Sequence, residues 1–120
     1  MNRILLAEDE VRLAAFVEKG LVRNGFVVRI AEDGEMALDL LRKEEFDLLL
    51  LDVGLPLKDG WAVLEEMQQQ TKKVPVIVVT AMSDNGNHAQ ALAMGAHDFV
   101  MKPFKFSELL VKIQALLNAE

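Results

Sequence analysis

The sequence predicts a doubly wound α/β domain built on a five-stranded parallel sheet. Three observations carry that expectation. Apolar runs of four to six residues alternate with longer amphipathic segments along all 120 residues. Val, Leu and Ile fill the short runs continuously, as strands covered on both faces require. The alternation gives five βα units in a row, which folds with helices on both sides of one sheet through right-handed crossovers. One domain over residues 1–120 fits this length, and a chain of this size buries about two-thirds of its unfolded surface.

Each element has its own signal. Ile4–Ala7 is the first strand. Val11–Arg23 is the first helix, with Leu13, Phe16, Val17, Gly20 and Leu21 on one stripe. Asn24-Gly25 ends it, because Gly accepts the left-handed cap conformation. Phe26–Ile30 is the second strand. Asp33 caps a second helix carrying Met36, Ala37, Leu40 and Leu41. Asp47–Leu51 is the third strand, and Gly54–Gly60 is a loop by its Gly and Pro content. Trp61–Gln70 is the third helix, and Trp61 is expected to be a half-buried packing residue. Val76–Val79 is the fourth strand, with Pro75 tolerated at its start. Asp84–Met94 is a weaker helix, its Asn- and Gly-rich start poor in helix formers. Phe99–Met101 is a short fifth strand. Ser107 is the expected cap of a last helix bearing Leu109, Leu110, Ile113, Leu116 and Leu117.

Composition narrows the function. The net charge of −6 argues against direct binding of nucleic acid or an anionic membrane surface. With no cysteine, disulfides, thiolate catalysis and zinc–thiolate sites are excluded. No signal peptide is visible, and no apolar run reaches the ~18 residues of a membrane span. A cytoplasmic location is the expectation.

The chemistry lies where four strands stop. The first runs into Glu8 and Asp9, the third into Asp52, the fourth into Thr80 and the fifth into Lys102-Pro103. In an open α/β sheet these carboxyl ends share the edge that binds ligands. Singly, each residue reads as a turn former, a strand cap or a solvated lysine; jointly they form a kit for handling phosphate. Two carboxylates ~5 Å apart repel by roughly 3 kcal/mol at an effective dielectric near 20, so the cluster calls for a counter-charge. Mg2+ fits, with Asp9 and Asp52 as direct ligands, Glu8 acting through water and the Gly54 carbonyl as a further ligand. An ionised carboxylate can attack phosphorus without a general base, and Asp52, after the most apolar strand, is the expected nucleophile. Lys102 would pair with one phosphoryl oxygen, and the Thr80 hydroxyl would donate to another.

From end to end the chain resembles a receiver domain of the response regulators of bacterial two-component signalling. The matching pieces are Ile4–Glu10, Leu49–Pro56 with Asp59-Gly60, Pro75–Ala81, Gly95–Phe99 and Lys102-Pro103-Phe104. The resemblance implies strand order 2-1-3-4-5, the flavodoxin-like (βα)5 topology. It implies that Asp52 takes a phosphoryl group from a phosphohistidine on a sensor histidine kinase, with Glu8 and Asp9 as the acidic metal pocket. It also implies Thr80 as the switch hydroxyl, Phe99 as the switch aromatic and a cis bond at Lys102-Pro103. In that scheme Thr80 is drawn inward and Phe99 rotates into the space vacated. The face formed by the fourth helix, fifth strand and fifth helix then changes shape. The domain would catalyse only its own phosphorylation and slow dephosphorylation, and would not be an enzyme acting on another substrate.

The final segment is similar to the winged-helix transcription-factor subclass, in which the Asp98, Glu108 and Lys112 positions carry charges that pair across a symmetric dimer. That likeness implies control of transcription through a DNA-binding domain outside this chain. A stand-alone receiver, acting by protein binding or as a phosphorelay shuttle, is the alternative. The chain departs from the subclass at 85–91, where Lys and Arg are absent, and at His97, where an acid is usual. His88 and His97 lie away from the strand ends and are expected at the surface. Rival readings fail on single residues. A phosphatase using Asp52 as nucleophile would need an acid at Gly54, and a flavin carrier would be repelled by Glu8-Asp9-Glu10. A receiver-like scaffold that is never phosphorylated would lack one of the key residues, and none is missing.

Overall fold

The structure, a computed structural model, describes residues 2–70, 72–81 and 86–118. Ten elements alternate in chain order: β1 (Arg3–Ala7), α1 (Val11–Arg23), β2 (Val27–Ala31), α2 (Gly34–Lys43), β3 (Leu48–Asp52), α3 (Gly60–Gln68), β4 (Val76–Ala81), α4 (Gly86–Ala93), β5 (Asp98–Lys102) and α5 (Phe106–Leu117). The strands are all parallel, in the order β2-β1-β3-β4-β5. Among the described residues no helix is long and apolar enough to cross a membrane.

The continuous apolar runs supply two cores at once, because successive strand side chains point to opposite faces. Leu49 and Leu51 of β3 and Val76 and Val78 of β4 join Ala37, Leu38, Val63, Leu64 and Ala91 from α2, α3 and α4. Leu48 and Leu50, with Ile77 and Val79, join Ala14, Val17, Leu21, Leu109 and Ile113 from α1 and α5. The sheet grows in one direction from β1 to β2 and in the other from β1 through β3. Right-handed crossovers then put α1 on one face and α2–α4 on the other. The point of reversal lies between β1 and β3, where Ala7 pairs in register with Leu51.

Local chemistry sets most boundaries. Asn24 closes α1, and Gly25 follows at φ +90°. The Asp33 carboxylate accepts from the Met36 N–H at 2.7 Å and starts α2. Asp59 does the same for α3, accepting from the Ala62 N–H at 2.9 Å. β2 and β3 are each displaced one residue toward the C-terminus from their predicted spans. β4 and β5 extend beyond theirs to take in Thr80 and Lys102, while α3 stops short of Gln70. The predicted start of the fourth helix at Asp84, and the fraying expected there, lie outside the described residues.

Three sequence expectations are corrected. Ser107 does not cap α5: that helix starts at Phe106, with Lys105 as N-cap and no side-chain cap. The cause is tertiary. The Phe106 ring lies against Gly20, where an added Cβ would come within 2.6 Å of it, and this contact draws Phe106 into the first turn. Phe16 is not a core residue. It is half exposed and meets Phe106 edge-on, with ring centroids 6.2 Å apart. Met36 is likewise exposed, and Leu38 takes the buried position on α2.

Candidate functional site

The strand register sets the depth of each side chain at the carboxyl edge. Asp52 ends β3 opposite Val79, which places Thr80 one residue further along β4. Lys102 ends β5 opposite Ala81. Glu8 follows β1 directly, and its N–H donates to the Ala31 carbonyl at 3.0 Å. Among the described residues Glu8, Asp52 and Thr80 are the buried polar residues at this edge, 3%, 7% and 1% exposed.

Glu8, Asp9 and Asp52 each bring a carboxylate oxygen into a group whose atoms lie within 4.8 Å of one another. Lys102 reaches over them. Its ammonium donates to Asp52 Oδ2 at 2.9 Å, lies 3.2 Å from Glu8 Oε1 and donates to Glu10 Oε2 at 3.1 Å. The other Asp52 oxygen, Oδ1, accepts from the Gly54 N–H at 3.0 Å. Glu8 Oε2 accepts from the Glu10 N–H at 3.1 Å. Both buried carboxylates are thus oriented by backbone donors two residues downstream. Gly60 lets α3 begin against the end of β3: an added Cβ would lie 2.6 Å from the Asp52 carbonyl oxygen.

Electrostatics follows from this crowding. Burial pushes the Glu8 carboxyl up to about 7; the Asp52 charge adds to that, while the Glu10 N–H and Lys102 act against it. Burial also works against the Lys102 charge. It is outweighed by the hydrogen bond to Asp52 and the charges of Asp52, Glu10 and Glu8, so the ammonium is held above its ordinary range. One cation shared among Asp52, Glu8 and Glu10 leaves the cluster net negative. The free donors are hard oxygens, the donor set that Mg2+ takes.

Most predicted site residues therefore converge. Thr80 lies buried at the same edge, and its Oγ1 has no hydrogen-bond partner among the described residues. The Lys102-Pro103 bond is cis. Gly54 contributes its N–H to Asp52. Phe99 is half buried against the core beneath α4. Asp98 and Lys112, expected to pair across a dimer, pair with each other inside the chain at 3.2 Å, while Glu108 is exposed. Trp61 is half buried, and His97 is exposed as expected, though its Nδ1 accepts from the Val76 N–H at 3.3 Å. The expectation that His88 is a simple surface residue is corrected: its ring stacks on Phe99, centroids 4.0 Å apart.

Glu10 was missed as a site residue. The acidic run Glu8-Asp9-Glu10 was legible, but nothing in a linear sequence says that its third member turns toward Lys102. A cavity of about 430 Å³ opens beside the lysine, lined by Glu10, Leu13, Ala81, Lys102, Pro103 and Phe104.

Comparison with known proteins closes the question of family. Residues 4–114 match the family described as "Response regulator receiver domain". The chain belongs to that family. It is 42% identical over 116 residues to the transcriptional activator protein IrlR of Burkholderia pseudomallei, a match spanning 97% of this chain and 50% of that protein. It is 34% identical to the transcriptional regulatory protein CusR of Escherichia coli, over 97% of this chain and 51% of that one. The chain thus spans about half the length of the curated relatives it matches. Among solved structures it superimposes on the Francisella response regulator 1452 receiver domain with a TM-score of 0.92 at 29% identity, covering 98% and 97% of the two chains. For the receiver domain of NtrX from Brucella abortus the TM-score is 0.91 at 30% identity, covering 98% and 99%. The receiver family, the β2-β1-β3-β4-β5 fold and the role in two-component signalling all agree with the sequence reading.

Proposed function

We propose that this receiver accepts a phosphoryl group on Asp52 from a phosphohistidine of a sensor histidine kinase. The observation that carries the reading is the Lys102 ammonium 2.9 Å from Asp52 Oδ2, above carboxylates gathered within 4.8 Å. An Asp52 oxygen attacks phosphorus; a P–O bond forms, the P–N bond to the kinase imidazole breaks, and the ring nitrogen keeps the electron pair. The Gly54 N–H on Oδ1 leaves Oδ2 as the oxygen that turns from Lys102 to the phosphorus. Lys102 then follows the transferred charge and pairs with a phosphoryl oxygen. The buried Thr80 hydroxyl, without a partner among the described residues, gains one there.

Asp9 and Asp52 would hold Mg2+ directly, Glu8 through water, with the Gly54 carbonyl as a further ligand. When bound, the ion offsets the charge brought together by the phosphoryl oxygens and the carboxylates. The domain acts as substrate and catalyst of its own labelling. Thr80 and Phe99 relay the change to the face of α4, β5 and α5, where Asp98, Glu108 and Lys112 can serve a homodimer. Output through a DNA-binding domain follows from the kinship with transcriptional regulators twice this chain's length, and the setting would be cytoplasmic. The domain itself, at −6, needs neither nucleic acid nor membrane.

The test is incubation with a small phosphodonor and Mg2+, followed by mass spectrometry. One base-labile phosphoryl group is expected, absent from Asp52→Asn; full labelling of that variant would refute the assignment. Thr80→Ala should still label yet fail to signal in the full-length regulator.

A further inference from the structure

We infer that His88 is a positioning residue for Phe99: its imidazole, stacked on the ring, holds Phe99 in the unphosphorylated position that the signal from Asp52 must overcome. The inference rests on the phosphorylation reading above and adds to it the contact that sets how readily the domain switches.

The observations converge on one ring. His88 and Phe99 lie nearly parallel, 16° apart, with centroids separated by 4.0 Å. The Lys112 ammonium of α5 stands 5.5 Å from the centroid of the same ring. Lys112 is tied to Asp98 Oδ1 at 3.2 Å, and that oxygen also accepts from the Phe99 N–H at 2.7 Å. Phe99 is thus gripped from α4 through its face and from α5 through a cation and its counter-ion.

The grip has a defect. His88 Nε2 is buried and has no hydrogen-bond partner among the described residues. A surface histidine would keep that nitrogen in water. Here the aromatic contact is made at the cost of desolvating a polar atom. Thr80 Oγ1, in the neighbouring strand, carries the same defect. Among the described residues the unphosphorylated arrangement therefore holds two polar side-chain atoms without a partner, one on each side of the proposed relay. A phosphoryl oxygen satisfies Thr80, and departure of the Phe99 ring uncovers His88 Nε2. Stack and defect work against each other, so the unphosphorylated position dominates by less than the stack alone would give.

Opposite substitutions should then act in opposite directions. His88→Phe keeps the stack and removes the buried nitrogen, so it favours the unphosphorylated position. His88→Ala removes the stack and favours the other. An aromatic pair is worth a factor of roughly two to ten in an equilibrium. The apparent affinity of a ligand that needs the switched form is its intrinsic affinity multiplied by the fraction of molecules already in that form.

The probe is beryllium fluoride with Mg2+, a mimic of the phosphoryl group, added to the chain labelled with 4-fluorophenylalanine. The six Phe give six ¹⁹F signals, and Phe99→Leu identifies the relevant one. In His88→Ala the Phe99 signal should start displaced toward its mimic-bound position, and the mimic should bind roughly two to ten times tighter. In His88→Phe the signal should stay at the unliganded position and binding should weaken by a similar factor. Changes below twofold in both variants, with an unmoved Phe99 signal, would overturn the inference. If His88→Ala fails to fold, His88→Phe decides alone: weaker binding supports the stack and unchanged binding overturns it. Asp52→Asn separates the two levels, since mimic binding to that variant would sink the reading of the site itself, whatever His88 does.

Discussion

The Glu8 carboxyl makes stability depend on pH in a direction opposite to most acidic residues. Its ordinary value is 4.5, and burial beside Asp52 raises it to about 7. Between those limits the folded chain binds a proton that the unfolded chain has released. Stability therefore falls as pH rises through that window, since its slope follows the excess of protons bound by the unfolded state. At 1.36 kcal/mol per pH unit, the metal-free fold loses on the order of 3 kcal/mol from this one group by pH 8. Typical domains hold only about 5–15 kcal/mol. The assay is urea unfolding in EDTA at several pH values between 4.5 and 8, for the wild type and for Glu8→Gln. Gln is close in shape, offers an oxygen to the Glu10 N–H and carries no charge. The variant should gain on the wild type as pH rises, reaching a midpoint difference of roughly 1–3 M for m of about 1–3 kcal/mol/M. Saturating Mg2+ should narrow the gap by stabilising the ionised wild-type pocket. Parallel pH profiles for the two proteins in EDTA would refute the argument, because the proton would then not reside on Glu8.

Further substitutions probe the rest of the site. Lys102→Met removes the cation shared by Asp52, Glu8 and Glu10; Mg2+ should bind several-fold tighter in a calorimetric titration while labelling by a small phosphodonor slows, and weaker Mg2+ binding would contradict the shared-cation picture. Gly60→Ala forces a Cβ to 2.6 Å from the Asp52 carbonyl, where backbone must give; a loss of roughly 1–3 kcal/mol in urea unfolding is expected, with slower labelling of Asp52. Asp33→Ala removes the cap of α2; thermal melting should drop by about 4 °C, near 1 kcal/mol.

Legibility in the sequence followed the range of the physics. Leu48–Leu51 could be read as a doubly covered strand because a continuous apolar run has few other homes. The ends of α1 and α2 were legible through Asn24-Gly25 and Asp33, since capping acts within a few residues. Ser107 failed as a cap because the competing contact, Phe106 on Gly20, spans most of the chain. Phe16 was misplaced for a related reason: helical periodicity finds a stripe but not which edge of it a neighbouring helix leaves open.

The sequence by itself determined the residue types at the strand ends, and parallel pairing then required those ends to share one edge. That much follows from periodicity and the geometry of βα units. Only the tertiary structure decided that Lys102 serves Glu10 as well as Asp52 and Glu8, that Asp98 and Lys112 satisfy each other, and that His88 covers Phe99. Those choices turn on distances of a few tenths of an ångström between side chains far apart in the chain, and no local pattern encodes them.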